Sequence, residues 1–419
     1  MHILSKSTYI KGLQCEKALY MQKKHPYLRD KLSIEQRAKF QRGTDVGVLA
    51  HDYFPGGIDM SPASPSQFPK KVAETWQNLS NPEVKVMYEA VFQYNDTLIM
   101  LDMLVRDGDQ WLAVEVKSSL RLSDTYYNDA ALQYYVLHGC GVPLSDFKLM
   151  YLNADYVKDG AIDVKQLFKL ESVMEYVKER EDFVAKNVER LKAVVAMPHA
   201  PVVEIGEQCD NPYPCDFYGH CWKHVQEPNF YTIDYKTLYS MAPQPKPKSI
   251  AYLNLLLYRP AVPEIDGSKP YEEMILAFAL QSEKENFVWD CFDDHSRWKE
   301  AIPLLIEKLS HYELVVCFTP QNLTTTLLRH EIIQNREVGY KVFNLFDVLQ
   351  QADFYHPAIK RGFTLQHLSE ALFPAFKLFE HSRILVEATS LDLISYQQAK
   401  EDLITENEVV AKTYQHFFK

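Results

Sequence analysis

Three runs dense in β-branched and aromatic residues, "EVKVMYEAVFQYN", "TLIMLDMLVRDG" and "QWLAVEVKS", follow one another between residues 83 and 118 with almost nothing separating them. This spacing predicts three successive strands of one sheet, with Asp107-Gly108 as the hairpin turn between the last two. Side chains alternate between the faces of a strand, so Glu115 and Lys117 share one face while Val114, Val116 and Ser118 point the other way. Asp102 lies on the preceding strand. Burying such charges costs free energy unless they are paired.

The flanking sequence supplies helices and further strands. Residues 7 to 24 read as one helix, and Ser33 followed by Gln36 makes a capping-box start for a second that runs into "AKFQRGTDVGVLAHDYF". That helix sets Gly47 and His51 four apart on one face. "DTYYNDAALQYYVLHG" is a helix from Asp124, "FKLMYLN" a strand, and about 167 to 194 a long amphipathic helix.

At 419 residues the chain is long enough for two domains. No apolar run approaches the ~18 residues of a membrane span, and "MHILSKSTYIKG" lacks the features of a secretory signal. The expectation is a cytoplasmic protein with no membrane partner. A formal charge of −11 argues against nonspecific coating of nucleic acid. Residues 1 to 45 are nevertheless basic: ten lysines and arginines, Lys6, Lys11, Arg29 and Lys39 among them, stand against Glu16, Asp30, Glu35 and Asp45.

Three of the seven cysteines crowd into "CDNPYPCDFYGHC", giving Cys209, Cys215 and Cys221 at a C-x5-C-x5-C spacing in an irregular, proline-containing loop. A closed thiolate site needs a fourth ligand, and Cys15 in "GLQCEKALY" is the candidate; Cys140, Cys291 and Cys317 sit in apolar surroundings. Zinc usually takes tighter C-x2-4-C pairs, whereas wide spacing suits a four-iron cluster, and spacing alone leaves both open. Either group would staple the fold.

Asp102 and Glu115 on antiparallel neighbours, with an imidazole from His51, form a hard donor set suited to Mg²⁺ or Mn²⁺. Such a cation polarises a phosphodiester, and the Lys117 ammonium stabilises developing negative charge. Taken alone, Glu-x-Lys on a strand is more often a cross-strand ion pair than a catalytic site, and a lone His51 more often a satisfied helix histidine.

In combination, "GTDVGVLAH", "IMLDML", "AVEVKSS" and "DAALQYYVL", with one cysteine before and three after, resemble the RecB-like branch of the PD-(D/E)XK nuclease superfamily. The match is to its iron-sulfur members, such as the AddB nuclease domain and the CRISPR-associated adaptation nuclease. The resemblance implies a restriction-endonuclease-like mixed sheet with flanking helices over residues 1 to 225. It implies His51, Asp102, Glu115 and the Val116 carbonyl as metal ligands, Lys117 as the catalytic lysine, and Gln133 as a helix glutamine that supports the site and contacts DNA. Cys15, Cys209, Cys215 and Cys221 would hold a 4Fe-4S cluster, with zinc the alternative. The family's tyrosine four residues after the glutamine is Leu137 here.

"EPNFYTIDYKTLYSMAPQPKPKS" reads as a linker over 226 to 248. Beyond it, "SIAYLNLLLY", "EMILAFALQS", "NFVWDCF" and "ELVVCFT" alternate with helices at 295 to 310 and 320 to 335, which predicts a second α/β domain over 249 to 419. "SKPYEEMILAFALQS" and "FYHPAIKRGFTLQHLSEAL" resemble the ribonuclease H-like domain fused behind RecB-like nucleases. The acids of such a domain fall on Asn254, Leu256, Asn322 and Asn344, with Glu408 retaining the last, so the resemblance implies an inactive domain that binds nucleic acid or a protein partner. Two functions are weighed: a Mg²⁺- or Mn²⁺-dependent DNA nuclease acting on single strands or ends, and a non-catalytic nucleic-acid-binding or assembly module in a repair, defence or mobile-element system.

Overall fold

The strands expected between 83 and 118 are β3 (Val86–Tyr94), β4 (Thr97–Asp107) and β5 (Gln110–Lys117), the antiparallel middle of a seven-stranded mixed sheet. The computed structural model describes residues 2–32, 34–225, 229–318, 341–359, 363–376, 378 and 396–418. The β4–β5 loop is Gly108-Asp109, one residue later than expected, because Asp107 pairs with Gln110. Gly108 takes a φ of 61°, where a side chain would be strained. On either side lie β2 (Ile58–Asp59), parallel to β3, and β6 (Leu144–Leu152), parallel to β5; β7 (Phe168–Ser172) runs antiparallel at the edge. A two-residue strand, β1 (Leu4–Ser5), pairs with β4 outside this order.

Helices cover the sheet. α1 (Lys6–Gln14) and α2 (Glu16–Lys24) replace the single helix expected there, because Cys15 adopts an extended backbone between them. α3 (Ile34–Ala50) carries the chain to a short 3-10 turn at His51–Tyr53; Ser33, its expected cap, lies outside the described residues. α4 (Phe68–Ser80) precedes β3, and α5 (Asp124–Gly139) starts where its sequence predicts. Every residue of α5 from Asp129 to Leu137 is buried, among β3, α1 and two later helices, α7 (Met174–Glu179) and α8 (Glu181–Ala196). The long helix expected from 167 is therefore a short α6 (Val164–Leu167), then β7, then α7 and α8. The core joins Tyr9, Leu19, Phe92, Leu101, Phe147 and Val188 across sheet and helices.

The chain divides into two units, Met1–Val225 and Gln226–Lys419. α9 (Tyr218–Trp222) closes the first. In the second, β8 (Ile250–Tyr258), β9 (Met274–Ser282) and β10 (Asn286–Asp290) form an antiparallel meander. β11 (Leu314–Cys317) and β12 (Lys341–Asn344) add parallel strands on the other side of β8, giving the order β10-β9-β8-β11-β12. α11 (Ala301–Leu309), α12 (Leu345–Gln351), α13 (Leu365–Leu372) and α14 (Tyr396–Phe418) surround this sheet. Residues 226–248, expected as a linker, contain α10 (Tyr235–Ser240), whose Leu238 is buried in this unit's core. The helix expected at 320 to 335 lies outside the described residues. Both units are thus α/β, each with a mixed sheet and flanking helices.

Candidate active site and cysteine pocket

One edge of β4 changes partner along its length. Thr97 and Leu98 pair with β1, whereas β5 is in register only from Met103 to Asp107. Asp102 lies in the gap, and its carboxylate accepts the Val116 backbone N–H at 2.6 Å, just past the end of the ladder. Glu115 lies near the end of its own strand, two residues before Lys117 closes it, and is 1% exposed. Lys6 is the first residue after β1, and α1 is entered through Ser5, whose N–H donates to Thr8 Oγ1 at 2.7 Å.

Two ammonium groups converge on one carboxylate oxygen. Lys6 Nζ donates to Glu115 Oε1 at 2.7 Å and Lys117 Nζ donates to the same atom at 2.6 Å. Lys117 also donates to Asp129 Oδ2, and Lys6 lies 3.9 Å from that oxygen. Glu115 Oε2 and Asp129 Oδ1 are buried and have no hydrogen-bond partner.

The electrostatics follow from this arrangement. Burial alone would raise the Glu115 carboxyl, but Lys117 and Lys6 overcome it and hold Glu115 well below the usual carboxylate range. Burial opposes the charge on Lys117 too, yet Asp129 and Glu115 outweigh it and keep that ammonium protonated above the ordinary lysine value. Asp102 is pushed well up, first by burial and then by the negative charge of Glu115. Glu89 is raised by the same two causes.

Glu89, Asp129 and Lys6 are members of this network that sequence reasoning missed. Tyr88 pairs with Met103 and Ala90 with Leu101, so Glu89 faces Asp102 across the ladder. Its φ is 53°, a left-handed backbone that is rare for a non-glycine residue within a strand. A signal existed for Asp129 alone, which lies four residues before Gln133 on one face of α5.

The other expected residues are placed as follows. His51 stacks on Tyr88 with ring centroids 3.8 Å apart and planes at 3°, and the Tyr88 hydroxyl donates to the His51 and Phe54 carbonyls. Burial lowers the His51 pKa and favours the neutral imidazole that a metal takes. Asp59 and Asp52 oppose that shift. Gln133 is wholly buried and neither of its amide atoms has a hydrogen-bond partner, so the side chain expected to contact DNA is enclosed within the unit. Leu137 is also fully buried.

All four expected cysteines line one small pocket: Cys15 at the α1–α2 break, and Cys209, Cys215 and Cys221 from the loop, with Met21 and Phe217 beside them. Cys215 N–H donates to the Cys209 carbonyl at 2.7 Å, and the Phe217 N–H points at Cys215 Sγ at 3.5 Å. Burial pushes the Cys215 thiol up to about 11 and raises Cys221 as well. Part of the basic N-terminal run holds this loop in place: Lys11 and Arg29 both pair with Asp216, and Gln14 donates to the Gln208 and Tyr213 carbonyls at 2.8 and 2.6 Å. Among the described residues, no group of three or more His, Cys, Asp or Glu side chains is drawn closely enough to hold a metal ion as it stands.

In the second unit Asn254 donates through Nδ2 to Glu406 on α14, while Glu408 is exposed; the helix acid that meets β8 is thus Glu406, not Glu408. Asn344 donates to Asp347 at 2.8 Å, Leu256 is buried, and Asn322 lies outside the described residues. Among the described residues, no helix is long and apolar enough to cross a membrane.

No family model matches the chain, and no curated protein is similar to it. Among solved structures, the family B DNA polymerase from the hyperthermophilic archaeon Pyrobaculum calidifontis is similar at 10% identity and a TM-score of 0.29, over 75% of this chain and 43% of that one. The chain spans less than half of that polymerase, and a likeness so distant carries neither fold nor function across.

Proposed function

We propose that the first unit is a restriction-endonuclease-like, RecB-like nuclease that hydrolyses phosphodiester bonds of DNA, on single strands or at ends, with Mg²⁺ or Mn²⁺. The observation that carries this reading is Glu115: one oxygen is gripped by Lys6 and Lys117, the other is buried without a partner, and Asp102 lies alongside. A buried carboxylate oxygen without a hydrogen bond is costly and fits a site that takes a cation. Asp102, Glu115 and Glu89, with the His51 imidazole if it leaves its stack on Tyr88, would have to draw closer to hold it. A divalent cation there supplies positive charge against the scissile phosphate. Lys117, kept protonated by its acids, neutralises negative charge that develops on the phosphate oxygens.

Four thiols lining one pocket, with a backbone N–H aimed at a sulfur, fit a structural 4Fe-4S cluster or zinc at Cys15, Cys209, Cys215 and Cys221. In the second unit, an antiparallel meander continued by two parallel strands supports a ribonuclease H-like fold. Asn254, Leu256 and Asn344 at its expected acid positions support an inactive unit that binds substrate or a protein partner. One observation favours the non-catalytic module instead: the charges of Glu115, Asp129, Lys6 and Lys117 already balance without a cation.

The test is cleavage of end-labelled single- and double-stranded DNA by anaerobically purified protein with Mn²⁺, beside Glu115→Ala and Lys117→Ala. Cleavage lost in both variants supports the nuclease. Cleavage retained in both moves the chemistry elsewhere, and no cleavage by the intact protein favours the binding module.

A further inference from the structure

In the second unit, α10 turns an unusual face outward. Its buried side is ordinary: Leu238 is wholly enclosed, with Ile233 and Met241 packed beside it. Its outer side carries Tyr235 and Tyr239, four residues apart and 44% and 57% exposed; Tyr231, in the non-helical segment before the helix, is 42% exposed, next to Phe230 at 63%. A solvent-facing stripe of this kind normally holds charged residues. Here two rings stand at helical spacing, with Lys236 and Ser240 exposed on the same helix.

The rings are ordered with respect to one another. Tyr235 and Tyr239 lie 5.8 Å apart with planes at 28°, Tyr231 and His356 lie 6.3 Å apart at 18°, and the Tyr231 and Tyr235 hydroxyls share a hydrogen bond of 2.8 Å. The backbone beneath is pinned: Thr232 and Tyr355 exchange two N–H to carbonyl bonds at 2.9 and 2.8 Å, and Asp234 N–H donates to the Ala352 carbonyl at 2.8 Å. Rings held this way lose little conformational entropy when a ligand stacks on them.

Charge selects the ligand. From 229 to 248 the chain carries Lys236, Lys246 and Lys248, all exposed, against Asp234, with one further exposed acid, Asp353, two residues before the Tyr355 that pairs with Thr232. The Asp234 carboxylate is turned into the start of α10, accepting from Lys236 N–H at 3.0 Å, Thr237 N–H at 3.3 Å and Thr237 Oγ1 at 2.5 Å. Aromatic rings flanked by lysines fit a polyanion with accessible flat bases, and a duplex keeps its bases stacked on each other.

We propose that this face binds single-stranded nucleic acid, with successive bases stacking on the rings of Tyr231, Tyr235 and Tyr239 and the phosphates meeting the neighbouring lysines. The inference rests on reading the second unit as a binding unit and needs no catalysis by the first.

The experiment is fluorescence anisotropy of a labelled oligothymidylate with the full chain in EDTA, beside the triple variants Tyr231→Ala/Tyr235→Ala/Tyr239→Ala and Tyr231→Phe/Tyr235→Phe/Tyr239→Phe. The expected result is binding that the alanine variant weakens by at least about tenfold, that the phenylalanine variant keeps within about threefold, and that a duplex of the same length does not match. Unchanged melting of the alanine variant excludes misfolding as the cause. Equal binding by wild type and the alanine variant overturns the proposal. So does ring-dependent self-association in sedimentation without strand binding, which would make a second copy the occupant. Ring-dependent binding by a protein that never cleaves leaves this inference standing while the nuclease reading fails; cleavage with ring-independent binding does the reverse.

Discussion

If Asp102 holds the proposed cation, it sets stability and function against each other. Its raised carboxyl means that the folded protein holds this proton more tightly than the unfolded chain, whose value is near 3.8. Between the two values the native state binds more protons, so this group's contribution to stability declines as pH rises through the folded value. In the proposed nuclease, cation binding would need the ionised form and would gain with pH over the same window. Asp102→Asn keeps an acceptor for Val116 N–H but removes the charge. We expect it to melt at a higher temperature than wild type at pH 7 to 8 and to lose Mn²⁺-dependent cleavage; a lower melting temperature at that pH would contradict this account. Glu115 has the opposite sign: its depressed carboxyl stabilises above about pH 4.5 and loses that contribution as pH falls. Lys117→Met strips Asp129 of its close partner and should cost about 3 kcal/mol in denaturant unfolding, with Lys117→Met/Asp129→Leu recovering part of it. Glu115, Lys117 and Asp102 were legible because strand alternation and a two-residue hairpin are local rules. Lys6 was one of ten basic residues in its stretch, and nothing local announces a contact 109 residues away.

At the scale of elements, the strands 83 to 118 and α5 were readable because each carries its own periodicity and boundary signals. The helix expected from 7 to 24 was not, since the break at Cys15 has no proline or glycine beside it and comes from the extended backbone of the cysteine itself. β7 was absorbed into the following helix because "FKLES" is too short to alternate visibly, and only pairing with β6 makes it a strand. The same break turns Cys15 toward three thiols some 190 residues along the chain. If those thiols hold a cluster, anaerobic protein should show broad visible absorption that Cys15→Ser and Cys215→Ser both abolish; a colourless, zinc-loaded wild type would select the alternative. Raised thiols at Cys215 and Cys221 must lose their protons to act as ligands, so loading should improve as pH rises.

Across the whole molecule, two α/β units carry different polar centres. In the second, Asn254→Asp replaces a donor to Glu406 with a second carboxylate; we expect a loss of about 1–3 kcal/mol that grows as pH rises and both acids ionise, and no new cleavage activity. The stretch 226–248 looked like a linker from its prolines and lysines, yet the burial of Leu238 ties it to that unit, a tertiary fact that composition does not carry. The double grip on Glu115 also decides how the protein tolerates chelators. Small metal domains that lack internal counter-charges come apart when the ion is withdrawn. Here Lys6 and Lys117 already act as resident place-holders for positive charge, so the acid centre is self-quenched at rest. Withholding Mg²⁺ and Mn²⁺ should leave its melting temperature unmoved, so the centre stays folded whether or not it takes the proposed cation.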